Sequence, residues 1–350
     1  MPLFEIPRKT GEVLNQTETP HTVEWRKVKS FLQDVDGKNA ELSVAIAEDG
    51  KTRRVNFWDI DSCLLYTHDL FQQYLEKLFP NEDPEELAEV FRKGGQLGNS
   101  FREFHRMLLI YEDGLRQYED AELYRETFIT DDEKRKSVDG PGHSDGNHER
   151  AAVAVGRLET IAVEQMREIY ENDPEYFTSK KFLNGPLVHL LEAKKRLGEV
   201  NVLMTANPRR LAETVIKYSG LTKYCYSLAG DEDMVGGGKE KAIEYLIGQL
   251  EESGIPVPKD RLVVIGDSQR GDVGSGWKLA QEKGYRFEGI LVRKDQPEAE
   301  QFKKVLSSDP ELQKMFEEMD ITVVASADVP KGKYGYKLGK KGLKTQQFNE

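Results

Sequence analysis

Cysteine is nearly absent from this chain. Two residues in 350, Cys63 and Cys225, cannot build a disulfide framework or a zinc cluster on their own. Histidine is scarce as well. The six (His21, His68, His105, His143, His148 and His189) show no paired ligand spacing on a convincing helix, and His143 and His148 fall in a turn-rich stretch where solvated side chains are the ordinary outcome. Long apolar runs are missing. The opening MPLFEIPRK has no apolar core of signal-peptide length, and no later stretch approaches the ~20 apolar residues that span a bilayer. A soluble, cytoplasmic protein with no membrane partner is expected. Positive charge is in deficit, with 50 Lys and Arg against 62 Asp and Glu and a net charge of −12. Nucleic acid and anionic lipid therefore gain no electrostatic attraction to the chain as a whole. The expected partner is a small, locally guided ligand, and the oligomeric state is left open.

What is present suffices for a buried core: 38% of residues are hydrophobic, against 32% charged. At roughly 100–200 residues per domain, this length suggests two domains or one with a large insertion. From Glu41 the chain reads ELSVAIA, EDGK and TRRVNFWDI, two β-forming runs around an Asp-Gly turn, so a strand pair ending at Asp59 is expected. From about Thr67 to Leu197 the pattern is helical. Leu70, Tyr74 and Leu78 share a face, Asn81 to Pro84 reads as a turn opening a helix, and Arg150 to Tyr170 is alanine-rich. Residues 137–147, SVDGPGHSDGN, are dense in turn formers. Strands and helices then alternate: helix at Leu187–Leu197, strand at Val200–Met204, helix at Arg209–Tyr218, strand at Tyr224–Leu228. Helix at Lys239–Glu251, strand at Leu262–Ile265, helix at Gly276–Glu282 and strands at Gly289–Val292 and Ile321–Val324 complete the series. This rhythm predicts an α/β fold, a Rossmann-like parallel sheet core with an inserted, mainly helical cap. The expected division is 1–66 as N-terminal hairpin and first core strand, 67–185 as cap, 186–330 as the second part of the core, and 331–350 as a basic flexible tail.

In an open parallel sheet the ligand site lies beyond the carboxyl ends of the strands. Asp59 and Asp61, Thr205, Asp267 and Asp272 all fall there, and Lys239 opens a helix after Gly236-Gly237-Gly238. Four carboxylates together repel one another unless a cation sits among them. Oxygen ligands with few imidazoles favour magnesium over zinc. The glycine run is no nucleotide P-loop, because Glu240 stands where Ser or Thr is required and Asp233 where Gly is.

These residues resemble the four motifs of the haloacid dehalogenase superfamily, in order. Phe57-Trp58-Asp59-Ile60-Asp61 is similar to the first, Val202-Leu203-Met204-Thr205 to the second, Lys239-Glu240-Lys241 to the third, and Gly266-Asp267 with Asp272 to the fourth. The resemblance covers about residues 54–66 and 186–329, and the helical block between its first two motifs resembles the family's first-type cap. It departs in Ser62-Cys63, where the family often has Gly-Thr, and in the lack of proline after Lys239.

The resemblance implies a Mg2+-dependent phosphomonoester hydrolase. Asp59 would be the nucleophile that forms an aspartyl-phosphate, and Asp61 the general acid and base. Asp59, Asp267, Asp272 and the main-chain carbonyl of Asp61 would hold Mg2+ or its waters, with Thr205 and Lys239 binding phosphoryl oxygens. Because a halide needs no proton, Asp61 favours phosphoryl over dehalogenase chemistry. A phosphotransferase or phosphomutase, and a catalytically silent binding protein, stand as alternatives. The substrate expected is a small phosphorylated molecule, with a nucleic-acid end phosphate kept open.

Overall fold

The computed structural model describes residues 24–46, 54–67, 70, 73, 147–234, 238–259, 262–319, 321–326, 335–339 and 342–346, with 147–158 and the last two segments described by backbone alone. The expected cap from 74 to 146, and with it most of the turn-rich loop, lies outside these residues.

Strands β1 (Glu24–Gln33) and β2 (Asn39–Ile46) form an antiparallel hairpin of their own. The chain uses a different Asp-Gly pair from the one expected. The hairpin closes at Asp36-Gly37, where Gly37 takes φ +75° and the Asp34 carboxylate accepts from the Asp36 and Lys38 N–H groups at 2.9 and 2.8 Å. The run after Glu41 thus pairs backward with β1, and the expected pairing with the strand ending at Asp59 is not made. The reason lies in β3 (Val55–Asp59), which is buried at all five positions. A strand buried on both faces needs neighbours on both edges and layers above and below.

β3 finds those neighbours at the centre of an eight-stranded sheet ordered β10-β9-β8-β7-β6-β3-β4-β5. Its parallel members are β3, β4 (Val200–Met204), β5 (Leu228–Ala229), β6 (Leu262–Gly266), β7 (Phe287–Arg293) and β8 (Ile321–Ala325). The chain begins in the middle, winds outward through β4 and β5, then returns to β6 and winds the other way, as in a Rossmann-like doubly wound sheet. The switch point falls between β3 and β6.

Two core layers follow from the period-2 alternation of these strands. Trp58, Leu203, Val263 and Ile265 face one apolar cluster, and Phe57, Val202, Met204 and Val264 face the other. Helices α1 (Asn147–Asn172), α2 (Gly185–Arg196) and α3 (Arg209–Tyr218) cover the first face. Ala162 and Met166 of α1 enter that cluster, and Tyr170 stacks on Tyr218 with centroids 4.3 Å apart. The end of the helical block counted with the cap therefore packs on the core. The second face carries α4 (Lys239–Glu252), α5 (Ser275–Lys283), α6 (Gln296–Ser308) and α7 (Pro310–Glu318). Neither α6 nor α7 is anticipated by the strand-helix reading. The tail differs from expectation too: β9 (Gly335–Gly339) and β10 (Gly342–Gln346) extend the sheet antiparallel from β8. The alternation in GYKLG and GLKTQ suits a strand, and the open edge of β8 supplies a ladder for it.

Candidate active site

Each candidate residue stands where the strand register delivers it. Asp59 ends β3, Thr205 follows β4 by one residue, Asp267 follows β6 by one, and Lys239 opens α4. Asp272 lies in a π-helical turn, Gln269–Gly274, which starts from Ser268, whose hydroxyl accepts from the Gly271 N–H at 2.9 Å. The turn presses close to the strand end. A Cβ at Gly266 would sit 2.3 Å from Oδ2 of Asp272, so only glycine permits the approach.

The carboxylates of Asp59, Asp267 and Asp272 each place an oxygen within 4.8 Å of the others. Lys239 Nζ donates to both Asp59 and Asp272. Asp59 and Asp272 are 3% and 0% exposed and Asp267 is half-buried, so two buried carboxylates and a third beside them crowd around the Lys239 ammonium. The strain shows in protonation. Burial, reinforced by the Asp272 carboxylate, pushes the Asp59 carboxyl well above its ordinary value, and Lys239 reverses this only in part. Asp267 is pushed up to about 6 by burial and by Asp272. Burial works against the Lys239 ammonium, but the Asp272 and Asp59 carboxylates outweigh it and hold its pKa above the ordinary lysine value. With all three carboxylates ionised, they and the one ammonium carry a net charge of −2, which a divalent ion neutralises. Hard oxygen donors at this spacing fit Mg2+, and Asp59, Asp267 and Asp272 are the residues that would hold it.

Asp61 stands apart from that cluster. Its carboxylate accepts from Thr67 Oγ1 at 2.8 Å on one oxygen, and from Thr205 Oγ1 and Asn207 Nδ2, both at 2.7 Å, on the other. The Asn207 N–H also donates to Thr205 Oγ1 at 3.1 Å. Thr205, expected to face a phosphoryl group, thus spends its hydroxyl proton on Asp61. Asn207 and Thr67 were not singled out from sequence; the only signal was their nearness to Thr205 and Asp61 in the chain. Ser62 adopts φ 57°, a left-handed conformation at the position where the resembled motif often has glycine. Cys63 is buried, and burial together with Asp59 pushes its thiol well above the ordinary range. It packs into the apolar cluster on the Trp58 face of the sheet.

No family model matches the chain, and no match is found among curated proteins. Solved structures do resemble it. One is a predicted phosphoglycolate phosphatase from Haemophilus somnus 129PT, with 12% identity over 79% of this chain and 96% of that one, at a TM-score of 0.41. A second, assigned as a HAD-hydrolase from Bacillus subtilis and solved bound to magnesium, has 11% identity over 69% and 89%, at 0.40. A third, assigned as a β-phosphoglucomutase from Thermotoga maritima, has 15% identity over 79% and 96%, at 0.39. The chain is thus similar, at low identity and with partial superposition, to solved structures named as a HAD-hydrolase, a phosphatase and a phosphoglucomutase.

Proposed function

We propose that this protein is a phosphoryl-transfer enzyme of the haloacid dehalogenase type that hydrolyses phosphomonoesters, with Asp59 as its nucleophile. The observation that carries this reading is the convergence of Asp59, Asp267, Asp272 and Lys239 beyond the carboxyl ends of β3 and β6, the switch point where doubly wound sheets bind ligands. A carboxylate attacking phosphorus must be ionised, and the buried Asp59 resists ionisation. Lys239 supplies one compensating charge from within hydrogen-bonding reach. Mg2+, when bound, supplies the rest and neutralises charge on the phosphoryl group.

Asp59 bonds to phosphorus as the ester oxygen leaves, and Asp61 gives that oxygen its proton. Water then attacks the aspartyl-phosphate, yielding its proton to Asp61, and free phosphate departs with Asp59 restored. The three hydrogen bonds from Thr67, Thr205 and Asn207 orient Asp61 beside the carboxylate cluster and outside it. That separation suits a group that handles protons and binds no cation through its side chain. Lys239 and Thr205 are the donors proposed for the phosphoryl oxygens, each exchanging a present carboxylate partner for the substrate.

The test is phosphate release from a broad panel of small phosphomonoesters, with Mg2+ and with EDTA. Wild type should turn over only with the metal, and Asp59→Asn should lose at least ~10³-fold in kcat, the scale of removing a covalent nucleophile. Release that survives either EDTA or Asp59→Asn would sink the proposal. Turnover that appears only when an acceptor hydroxyl is added would move the reading to a phosphotransferase.

A further inference from the structure

The segment that carries Asp267 and Asp272 is held by a second cation besides Lys239. Arg293, the last residue of β7, donates from Nη1 to the main-chain carbonyl of Asp267 at 2.5 Å and to that of Val292 at 3.1 Å, and from Nη2 to Oε1 of Gln269 at 3.1 Å. Its guanidinium lies over the Phe302 ring of α6, 4.5 Å from the centroid. Its own carbonyl accepts from Ser326 Oγ at 3.0 Å. Ser326 Oγ in turn accepts from Nδ2 of Asn184 at 3.1 Å, which also reaches the Cys63 carbonyl at 2.8 Å. The end of β7 is therefore tied to the Asp267 turn on one side and to the segment after Asp61 on the other.

Among the described residues Arg293 makes no ion pair with a carboxylate. A half-buried guanidinium commonly offsets its lost hydration with one. Here its donors are directed at a main-chain carbonyl and a side-chain amide, and the carbonyl they select is informative. The Asp267–Ser268 peptide presents its C=O to Arg293, while its N–H, on Ser268, donates to Oδ2 of Asp272 at 2.9 Å. One peptide plane is thus clamped from both sides, and it fixes both acids that the turn contributes to the cluster.

We infer that Arg293 is a positioning residue for the cation site: it locks the Asp267–Ser268 peptide in the orientation that turns Asp267 and Asp272 toward Asp59. This rests on reading those three carboxylates as a divalent cation site. Without the guanidinium the peptide plane is free to rotate, and both acids lose their common aim with no change in the residues that touch the metal. Partners of this outer kind commonly alter metal affinity ~10–100-fold.

The experiment is calorimetric titration of the full chain with Mn2+, alongside the melting temperature in EDTA, for wild type, Arg293→Met, Arg293→Lys and Gln269→Leu. The Kd of Arg293→Met should rise ~10–100-fold. Arg293→Lys, which keeps the charge and one donor to the carbonyl, should fall between it and wild type, while its metal-free melting temperature stays close to wild type. Gln269→Leu leaves the carbonyl contact in place and should bind Mn2+ nearly as wild type does. A merely structural arginine would lower the metal-free melting temperature and leave Kd unmoved. Folded Arg293→Met and Arg293→Lys with wild-type Kd would overturn the inference. If Arg293→Met does not fold, Arg293→Lys decides alone: a raised Kd supports the inference and an unchanged one overturns it. A wild type that binds no Mn2+ overturns the cation-site reading itself, and the inference falls with it.

Discussion

A buried acid cluster writes its own pH dependence. Asp267 titrates near 6 in the folded chain against an ordinary 3.8, because burial and Asp272 disfavour its charge. The folded state therefore holds a proton that the unfolded chain has already lost between those two values. Stability of the metal-free protein should fall as pH rises through that window, and Asp59, shifted in the same direction, adds to the fall. A divalent ion binds the ionised carboxylates and reverses the loss. The rise in melting temperature on adding Mg2+ should accordingly grow from about pH 5 to about pH 7, measured by thermal unfolding with Mg2+ and with EDTA. An Mg2+ effect independent of pH would contradict the assignment. The neighbouring Ser62 makes a second residue-scale prediction. Its left-handed φ of 57° costs a non-glycine residue ~1–2 kcal/mol. Ser62→Gly should be neutral or stabilising by up to ~1 kcal/mol, and Ser62→Val destabilising by ~1–2 kcal/mol in denaturant unfolding.

At the scale of elements, legibility followed the strength of the local pattern. The apolar runs of β4 and β6 and the periodic stretch Arg209–Tyr218 carry unambiguous signals, and the structure places all three as read. Because β3, β4 and β6 end where their hydrophobic runs end, the positions of Asp59, Thr205 and Asp267 at the sheet edge were legible with them. β1 was not. Its sequence, EWRKVKSFLQ, is exposed at most positions and is stabilised by pairing with β2, a long-range fact that no local pattern records. The hairpin error has the same origin: two Asp-Gly pairs compete, and the choice between them depends on β3 being covered on both faces. The π-helical turn at Gln269–Gly274 and the reach of Arg293 to the Asp267 carbonyl arise from packing between β6 and β7. Nothing in the spacing of either segment announces them.

On the scale of the whole molecule, stability and chemistry occupy opposite edges of the sheet. Beneath the site, at the amino ends of β3 and β4, Lys194 pairs with Glu199 at 3.1 Å with both side chains below 10% exposure. Asn56 Nδ2 donates to Glu199 at 3.0 Å and Trp58 Nε1 to Asn201 at 3.0 Å. Lys194→Met removes one partner of a buried pair and leaves a carboxylate unpaired, which costs ~3–5 kcal/mol. Denaturant unfolding should show that loss, while kcat of the surviving folded protein stays near wild type, since the pair lies at the far end of the strands from Asp59. A large fall in kcat without loss of stability would contradict this division. Among the described residues no helix is long and apolar enough to cross a membrane.

The central claim is that Asp59 carries the phosphoryl group, and acid-quenched labelling tests it most directly. Protein mixed with Mg2+ and the best panel substrate, labelled at phosphorus, would be quenched within the first turnover. Label should be retained on the wild-type protein, released by hydroxylamine as an acyl phosphate is, and absent from Asp59→Asn. Phosphate release from a wild type that never becomes labelled, or equal labelling of Asp59→Asn, would contradict the account.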